Sequence, residues 1–425
     1  MIQEKDLPAW VRLGVVPAVQ ILLAFAVASL LIFAIGQDPG KAIGLYFEKV
    51  LGTAAGWSTL LFYATTLIFT GLSVAMAFQA GMFNIGSEGQ GVLGAIGITI
   101  FAVAVLGPML VAPDYAGTQG MSPTTRDQII GSNYLGQIVL FIAAGAFGMA
   151  WAFIPGFLQA YRGSHLVITT IMFNFIASAL LLYLLSQNGP LVAPDSIGDP
   201  KSASFHPALW LDNIGGWFQA QIEVLKASGE RPDRLMRTLA KSKVNSSLIV
   251  ALLMAFLFWI FMWRTRWGFA VRAIGANPNA SHYAGINVKA TMVLAVCLSG
   301  MLAGLAATNI LLGSSGSAGE HLMRDTGLNG LGFVGIAVAL MGRNHPIGVV
   351  LSALLFGSLY AWGENLQGVA AQLIKLDIDR EFIVAIQGLV ILFTGALYYM
   401  VLQLVLRVIG LFWKPKPDAA QAAEA

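Results

Sequence analysis

The chain has 425 residues, 57% of them hydrophobic and 11% charged, and its mean hydropathy is +0.74. Soluble domains carry about 25% charged residues, so this is the composition of a polytopic membrane protein. A net charge of +3 gives no case for nucleic acid, and the single cysteine, Cys297, excludes an intrachain disulfide, a Cys-ligated zinc cluster and an iron–sulfur cluster.

A short polar start, MIQEKDLPAWVR, precedes an apolar run at 13–35. That run exceeds a signal-peptide core of about 7–15 residues and reads as a retained first span. Further apolar runs at 58–80, 89–112, 135–160, 165–186, 247–263, 288–312, 329–342, 345–365 and 382–408 predict about ten spans and an all-α fold. The run at 329–342 is short and glycine-rich, a half-helix paired with the Gly/Ser stretch 313–319.

Lys5, Arg12, Arg162, Arg264, Arg266, Arg272, Lys289, Arg343, Arg407, Lys414 and Lys416 then fall on one side, which predicts cytoplasmic termini. The loops 36–57, 113–134, 187–246 and 366–381 are external. Within the longest of them, Leu209–Leu225 reads as an interfacial helix with Trp210, Trp217 and Phe218 at headgroup level. Residues 1–412 form one transmembrane domain and 413–425 a disordered tail. Spans 2–5 and 7–10 run in opposite senses, as in an inverted repeat, with glycine-broken regions at 81–91 and 313–335.

The break Asn84-Ile85-Gly86-Ser87-Glu88-Gly89-Gln90 interrupts two apolar runs. Non-helical backbone at membrane depth is tolerated only where protein buries it or a water-filled path runs beside it. Asn84 or Ser87 serves as N-cap, Ser87 and Gln90 have capping-box spacing, and Glu88 lies in the first turn, where the helix dipole favours a carboxylate. Asn84, Ser87, Glu88 and Gln90 are therefore candidate path residues, against a plain loop cap at the membrane face. In Val167–Asn174, the polar Thr169, Thr170 and Asn174 lie in a span, and Thr170 and Asn174 share a face at i,i+4. They, with Asn309 and Asn329 around the second broken region, are candidates either for solute contact or for interhelical glue.

After the sixth span, Asn277 reads as an N-cap, Pro278 as N1 and Gly285 as the stop of one or two helical turns in the cytoplasm, suited to docking a partner. Gly330-Leu-Gly332-Phe-Val-Gly335 fits G-x-G-x-x-G but has no preceding strand, and reads as close helix packing, as does Gly300-Met-Leu-Ala-Gly304. There is no P-loop and no H-E-x-x-H, and the five histidines form no evident metal cluster.

Three segments carry a family resemblance across essentially the whole chain. Phe83–Gln90 resembles the FNIGAEGQ-type segment of nucleoside-type permeases, with Ser87 in place of the commoner alanine. Val167–Asn174 resembles their VITTIMLN-type segment, and Arg272–Ile286 their cytoplasmic coupling loop. The chain thus resembles the permease subunits of bacterial ABC importers of the branched-chain amino acid, ribose and nucleoside group.

The resemblance implies a non-enzymatic subunit of the inner membrane, paired with a second permease as a homo- or heterodimer. Two cytoplasmic ATPase subunits that bind the ATP and an external substrate-binding protein complete the machine, and this chain itself holds no cofactor. It implies a nucleoside as the most fitting solute, with a ribose-type sugar second. It implies ATPase contact through the loop 264–289, at Arg272, Gly275, Asn277, Pro278, Ala280, His282, Gly285 and Ile286. An ion-coupled secondary transporter is the rival from another class, compatible with Glu88 in a broken helix but leaving that loop without a use.

Overall fold

The computed structural model describes residues 16–106, 133–193, 200–229, 231–313 and 330–367, with isolated positions at 322 and 328 and between 385 and 403. The expected span at 382–408, Asn329, residues 314–319 of the Gly/Ser stretch, most of the loops 113–134 and 366–381, and the tail 413–425 lie outside the described residues. Among the described residues all regular elements are helical, with two isolated bridges, Val192–Ser202 and Asn213–Asn245.

The chain divides into two compact units, residues 1–45 with 363–425, and residues 46–362. The first holds α1 (Val16–Ala34) and α2 (Pro39–Leu45), where the Asp38 carboxylate accepts the Gly40 N–H at 2.9 Å and starts the second helix.

The second unit carries the site. Its long helices are α3 (Ala54–Gln79), α4 (Ser87–Ile100, continued by a π turn to Leu106), α5 (Tyr134–Arg162) and α6 (Leu166–Leu184). Two short helices follow, α7 (Ile214–Ala227) and α8 (Arg234–Leu239). Then come α9 (Ser247–Arg264), α10 (Arg266–Ala276), α11 (Pro278–Tyr283), α12 (Val288–Leu312), α13 (Leu331–Met341) and the bulk of α14 (Pro346–Gln367). Among the described residues seven helices are long and apolar enough to cross a membrane: α3, α4 with its continuation, α5, α6, α9, α12 and α14. Asparagine and threonine set many of the helix starts. Thr53 accepts the Gly56 N–H at the start of α3, and Asn133 the Gly136 N–H at the start of α5.

α3, α4 and α12 form the interior. On α3 every residue from Ala64 to Ala77 is buried. α6 and α9 keep an open apolar outer face, with Ile168, Met172 and Phe175 on α6 and Ile249, Leu253 and Phe256 on α9 exposed, as lipid-facing helices do. The expected small-residue seam is real. A Cβ on Gly300 would lie 2.3 Å from the Ala152 Cβ, and one on Gly304 2.2 Å from the Ala144 carbonyl oxygen, so α5 and α12 touch backbone to backbone.

Residues 200–246 cover the ends of α3, α5 and α12 that lie away from α10 and α11. Gln137 Nε2 donates to the Trp210 carbonyl at 2.7 Å, Leu211 N–H to the Leu312 carbonyl at 2.8 Å, and the hydroxyls of Ser58 and Ser242 are 3.0 Å apart. The helix expected at Leu209–Leu225 begins instead at Ile214, because Asn213 is its N-cap and accepts the Gly216 N–H.

Candidate functional site

The break after α3 is held by polar side chains from three other helices. Asn84 is fully buried, and its amide donates to Ser299 Oγ on α12 at 2.8 Å and to Gln90 Oε1 at 3.1 Å. Its Oδ1 accepts the Gly86 N–H at 2.8 Å. Ser73 Oγ on α3 lies 3.1 Å from both Ser87 Oγ and Ser299 Oγ. Asn174 on α6 accepts the Gly89 N–H at 2.9 Å and donates to the Ile85 carbonyl at 2.9 Å, while Thr170 Oγ1 accepts the Ile85 N–H at 3.4 Å.

The expected capping box does not form. Gly86 is the N-cap of α4 and Ser87 its first helical residue, so the Ser87 hydroxyl turns to Ser73 rather than back to the helix end. Tertiary contact supplies the cap instead, through Asn174, more than eighty residues away in sequence.

Glu88 makes a second junction. One carboxylate oxygen accepts the Gly330 N–H at 3.1 Å and the other the Gly332 N–H at 3.0 Å, so Glu88 caps α13 from the first turn of α4. Two helix N-termini, each with partial positive charge, thus meet at one carboxylate. The fit is close: a Cβ on Gly332 would lie 2.6 Å from both Glu88 N and Glu88 Oε2.

Depth follows from helix rise. α12 has 25 residues, so it is about 37 Å long, and Ser299 is near its middle. α13 has 11 residues, about 16 Å, half of a hydrocarbon core of about 30 Å. The polar junction therefore lies near the mid-length of α12 rather than at its end. α13 is the expected half-helix, running from Glu88 back toward the end of α3.

That end is where the loop after α9 attaches. A Cβ on Gly275, in α10, would sit 2.2 Å from the Gln79 carbonyl oxygen and 3.0 Å from the Gly81 N. Gln79 Nε2 in turn donates to the Asn344 carbonyl, just past α13, at 3.0 Å. Arg272 also faces inward, its guanidinium over the Trp263 ring at 5.8 Å, and the Trp263 ring packs at a tilt of 55° against His345, with centroids 5.1 Å apart.

α11 stands outward. Asn277 caps it by accepting the Ala280 N–H at 3.0 Å, Pro278 is at N1, and Gly285 at φ +80 ends it, with its N–H donated to the His282 carbonyl. Pro278, Asn279, Ala280, His282 and Tyr283 are exposed, Tyr283 at 91%, and Ile286 is half-buried. A groove of about 690 Å³ runs beside it, lined by Gln159, Asn279, His282 and Lys289 among others. The loop holds more helix than the sequence predicts: Arg266–Ala276 forms α10, because Thr265 accepts the Gly268 N–H and nucleates it.

Two candidates do not join the junction. Thr169 bonds to the carbonyls of His165 and Leu166 in its own helix. Asn309 lies ten residues beyond Ser299, about 15 Å away along α12. There it ties the Phe62 carbonyl and Thr66 Oγ1, each at 2.8 Å, to Asn245 at 2.9 Å and Ser247 at 3.0 Å. Conversely, Ser73 and Ser299 belong to the junction and were not singled out. Each is one of several hydroxyls in its apolar run, so spacing alone does not distinguish it. Among the described residues no group of His, Cys, Asp or Glu side chains could hold a metal ion.

A family model described as branched-chain amino acid transport system, permease component, matches residues 56–401. The chain belongs to this permease family. The permease is 31% identical to the glucose ABC transporter permease protein TsgB13 of Haloferax volcanii, over 92% of this chain and 89% of that one. It is 30% identical to the guanosine ABC transporter permease protein NupP of Bacillus subtilis, over 90% and 93%. It is also 30% identical to the nucleoside ABC transporter permease protein NupB of Lactococcus lactis, over 86% and 88%. No solved structure matches the permease. It is a multi-pass membrane subunit of an ABC transporter and not an enzyme, and such a complex has ATPase and substrate-binding partners.

Proposed function

We propose that the permease forms the translocation path for a nucleoside, with Asn84, Ser87, Glu88, Gln90, Thr170 and Asn174 beside that path. In this reading it sits in the cell (inner) membrane with α10 and α11 on the cytoplasmic side, together with both termini, and pairs with a second permease subunit. α11 seats in an ATPase subunit, and an external binding protein delivers the solute to the opposite face.

The observation that carries the reading is the contact of Gly275 with Gln79 and Gly81. It joins the exposed α11, through α10, to the residue pair that opens the break. A displacement imposed on α11 reaches the end of α3 without a flexible side chain in between. From there the hydrogen bond of Gln79 to Asn344 leads into α13, whose far end rests on Glu88. The amides, hydroxyls and one carboxylate of the junction bond one another here, and a shift of α13 frees the donors and acceptors that a hydroxyl-rich solute needs.

The names of two relatives, guanosine and nucleoside permeases, support the nucleoside. A simple sugar is the second reading, supported by the glucose permease at 31% identity. The test is uptake by proteoliposomes holding the complete complex, with labelled guanosine, ribose and glucose in parallel, with and without internal ATP. ATP-dependent guanosine uptake that neither sugar matches supports the proposal. Faster glucose or ribose uptake transfers it to the sugar reading, and uptake that follows an ion gradient without ATP overturns it.

A further inference from the structure

At the end of α3 opposite to α10, an open cavity of about 860 Å³ lies between α7, α8 and the first turn of α3. Four cationic side chains line it, Lys226, Arg234, Arg237 and Lys241, over an apolar floor that includes Ala55 and Ile222. None of the described residues lining it is acidic. The nearby Asp233 carboxylate accepts the Arg234 N–H at 2.6 Å as the cap of α8. Arg237 Nε donates to the Pro232 carbonyl at 3.1 Å, which fixes that guanidinium at the cavity wall.

Four cations facing one space without a carboxylate call for an anion. The surroundings say which kind. α7 buries Gly215 and Ile222 on one side and exposes Ile214, Trp217 and Val224 on another, and Leu235 on α8 is exposed as well. The tryptophan-bearing apolar face of α7 lies across the helix from Gln219, Ile222 and Lys226, which line the cavity, and is the kind of face that rests at headgroup level. Ala55 belongs to the first turn of a spanning helix, which places the cavity at the boundary of the bilayer. α3 is 26 residues long, about 39 Å, so this boundary is the one away from α11.

We propose that this basic cavity, at the boundary of the bilayer, binds the phosphate-bearing headgroup of an anionic phospholipid. A phosphodiester supplies the charge, and a glycerol headgroup is small enough for the cavity. The place of the cavity at the first turn of a spanning helix points to a lipid headgroup rather than a free anion. The site is independent of the solute path, so its test does not hinge on which solute is carried.

The test uses the full permease with its partner subunits in nanodiscs of phosphatidylcholine alone or with phosphatidylglycerol, read by native mass spectrometry for retained lipid. The expected result is retention of phosphatidylglycerol by the wild type, weakened on the order of 10- to 100-fold in K226Q/R234Q/R237Q, since each cation near an anionic surface contributes about a fivefold factor. R234K/R237K, which keeps the charge, and Arg162→Gln, which lowers the charge in the last turn of α5, at the opposite end of the unit, should both retain the lipid. Equal retention by the triple variant overturns the proposal. So does displacement of the lipid by millimolar inorganic phosphate, which would make this a site for a free anion. Loss of binding-protein association in the triple variant, with lipid retention unchanged, also overturns it, in favour of an acidic protein surface. A triple variant that fails to assemble is replaced by the three single glutamine variants, each expected to lose about fivefold.

Discussion

Replacing Glu88 with glutamine isolates the junction between α4 and α13. The carboxylate accepts two N–H groups, from Gly330 and Gly332, at 3.1 and 3.0 Å. Glutamine keeps one acceptor oxygen and turns an NH2 group toward the other N–H, so one bond is lost and a donor faces a donor. A hydrogen bond to a charged group contributes about 1.5–3 kcal/mol, so α13 should lose about that much hold on its N-terminus. At roughly a factor of ten per 1.4 kcal/mol, the open state of this contact becomes on the order of 10- to 150-fold more populated. Hydrogen exchange of the Gly330–Val334 amides should speed up by that factor in the reconstituted complex, and solute uptake should fall at least tenfold while ATPase association stays normal. G332A should reproduce the effect with Glu88 intact, because its Cβ would lie 2.6 Å from Glu88 Oε2. Unchanged exchange together with unchanged uptake kinetics in E88Q would refute the reasoning.

Gly275→Val places a branched side chain where even a Cβ would be 2.2 Å from the Gln79 carbonyl oxygen. The permease should still bind its ATPase and the complex should still hydrolyse ATP, while uptake falls at least tenfold; uptake in step with hydrolysis would dissolve the coupling role of α10. Asn309→Ala leaves Asn245, Ser247, Thr66 and the Phe62 carbonyl each short of a partner. Polar ties between membrane helices contribute about 1 kcal/mol, so the melting temperature should drop by a few degrees with the KM for solute unchanged. A changed KM would return Asn309 to the path.

The spans were legible because a bilayer imposes a length on apolar runs, and the runs at 247–263 and 288–312 coincide with α9 and α12 to within a residue. The turn after α10 was legible because Asn277, Pro278 and Gly285 start and stop a helix of six residues, so every signal is local. What stayed hidden are partnerships across the fold. Sequence spacing pairs Ser87 with Gln90, whereas in three dimensions Asn174 lies closer to the N–H that needs it. Glu88 reads as a residue of its own helix dipole, and only the packing of α13 against α4 shows that it caps a second helix as well. Asn309 and Ser299 lie on the same helix and look alike in sequence. Depth along α12, which no local pattern encodes, separates them into different networks.

The seam between α5 and α12 has a mechanical consequence. Gly148, Gly300 and Gly304 bring the two main chains together with no side chain long enough to change rotamer. Such a contact has no intermediate positions: short of a jump by a whole turn, the two helices move as one body. α5 and α12 therefore form one block of the permease. α13 is held differently at its two aspects: its N-terminus is moored by the Glu88 carboxylate, while its length is packed on α3, where a Cβ on Gly335 would lie 2.7 Å from the Thr70 Cβ, so any shift of α13 has to release both.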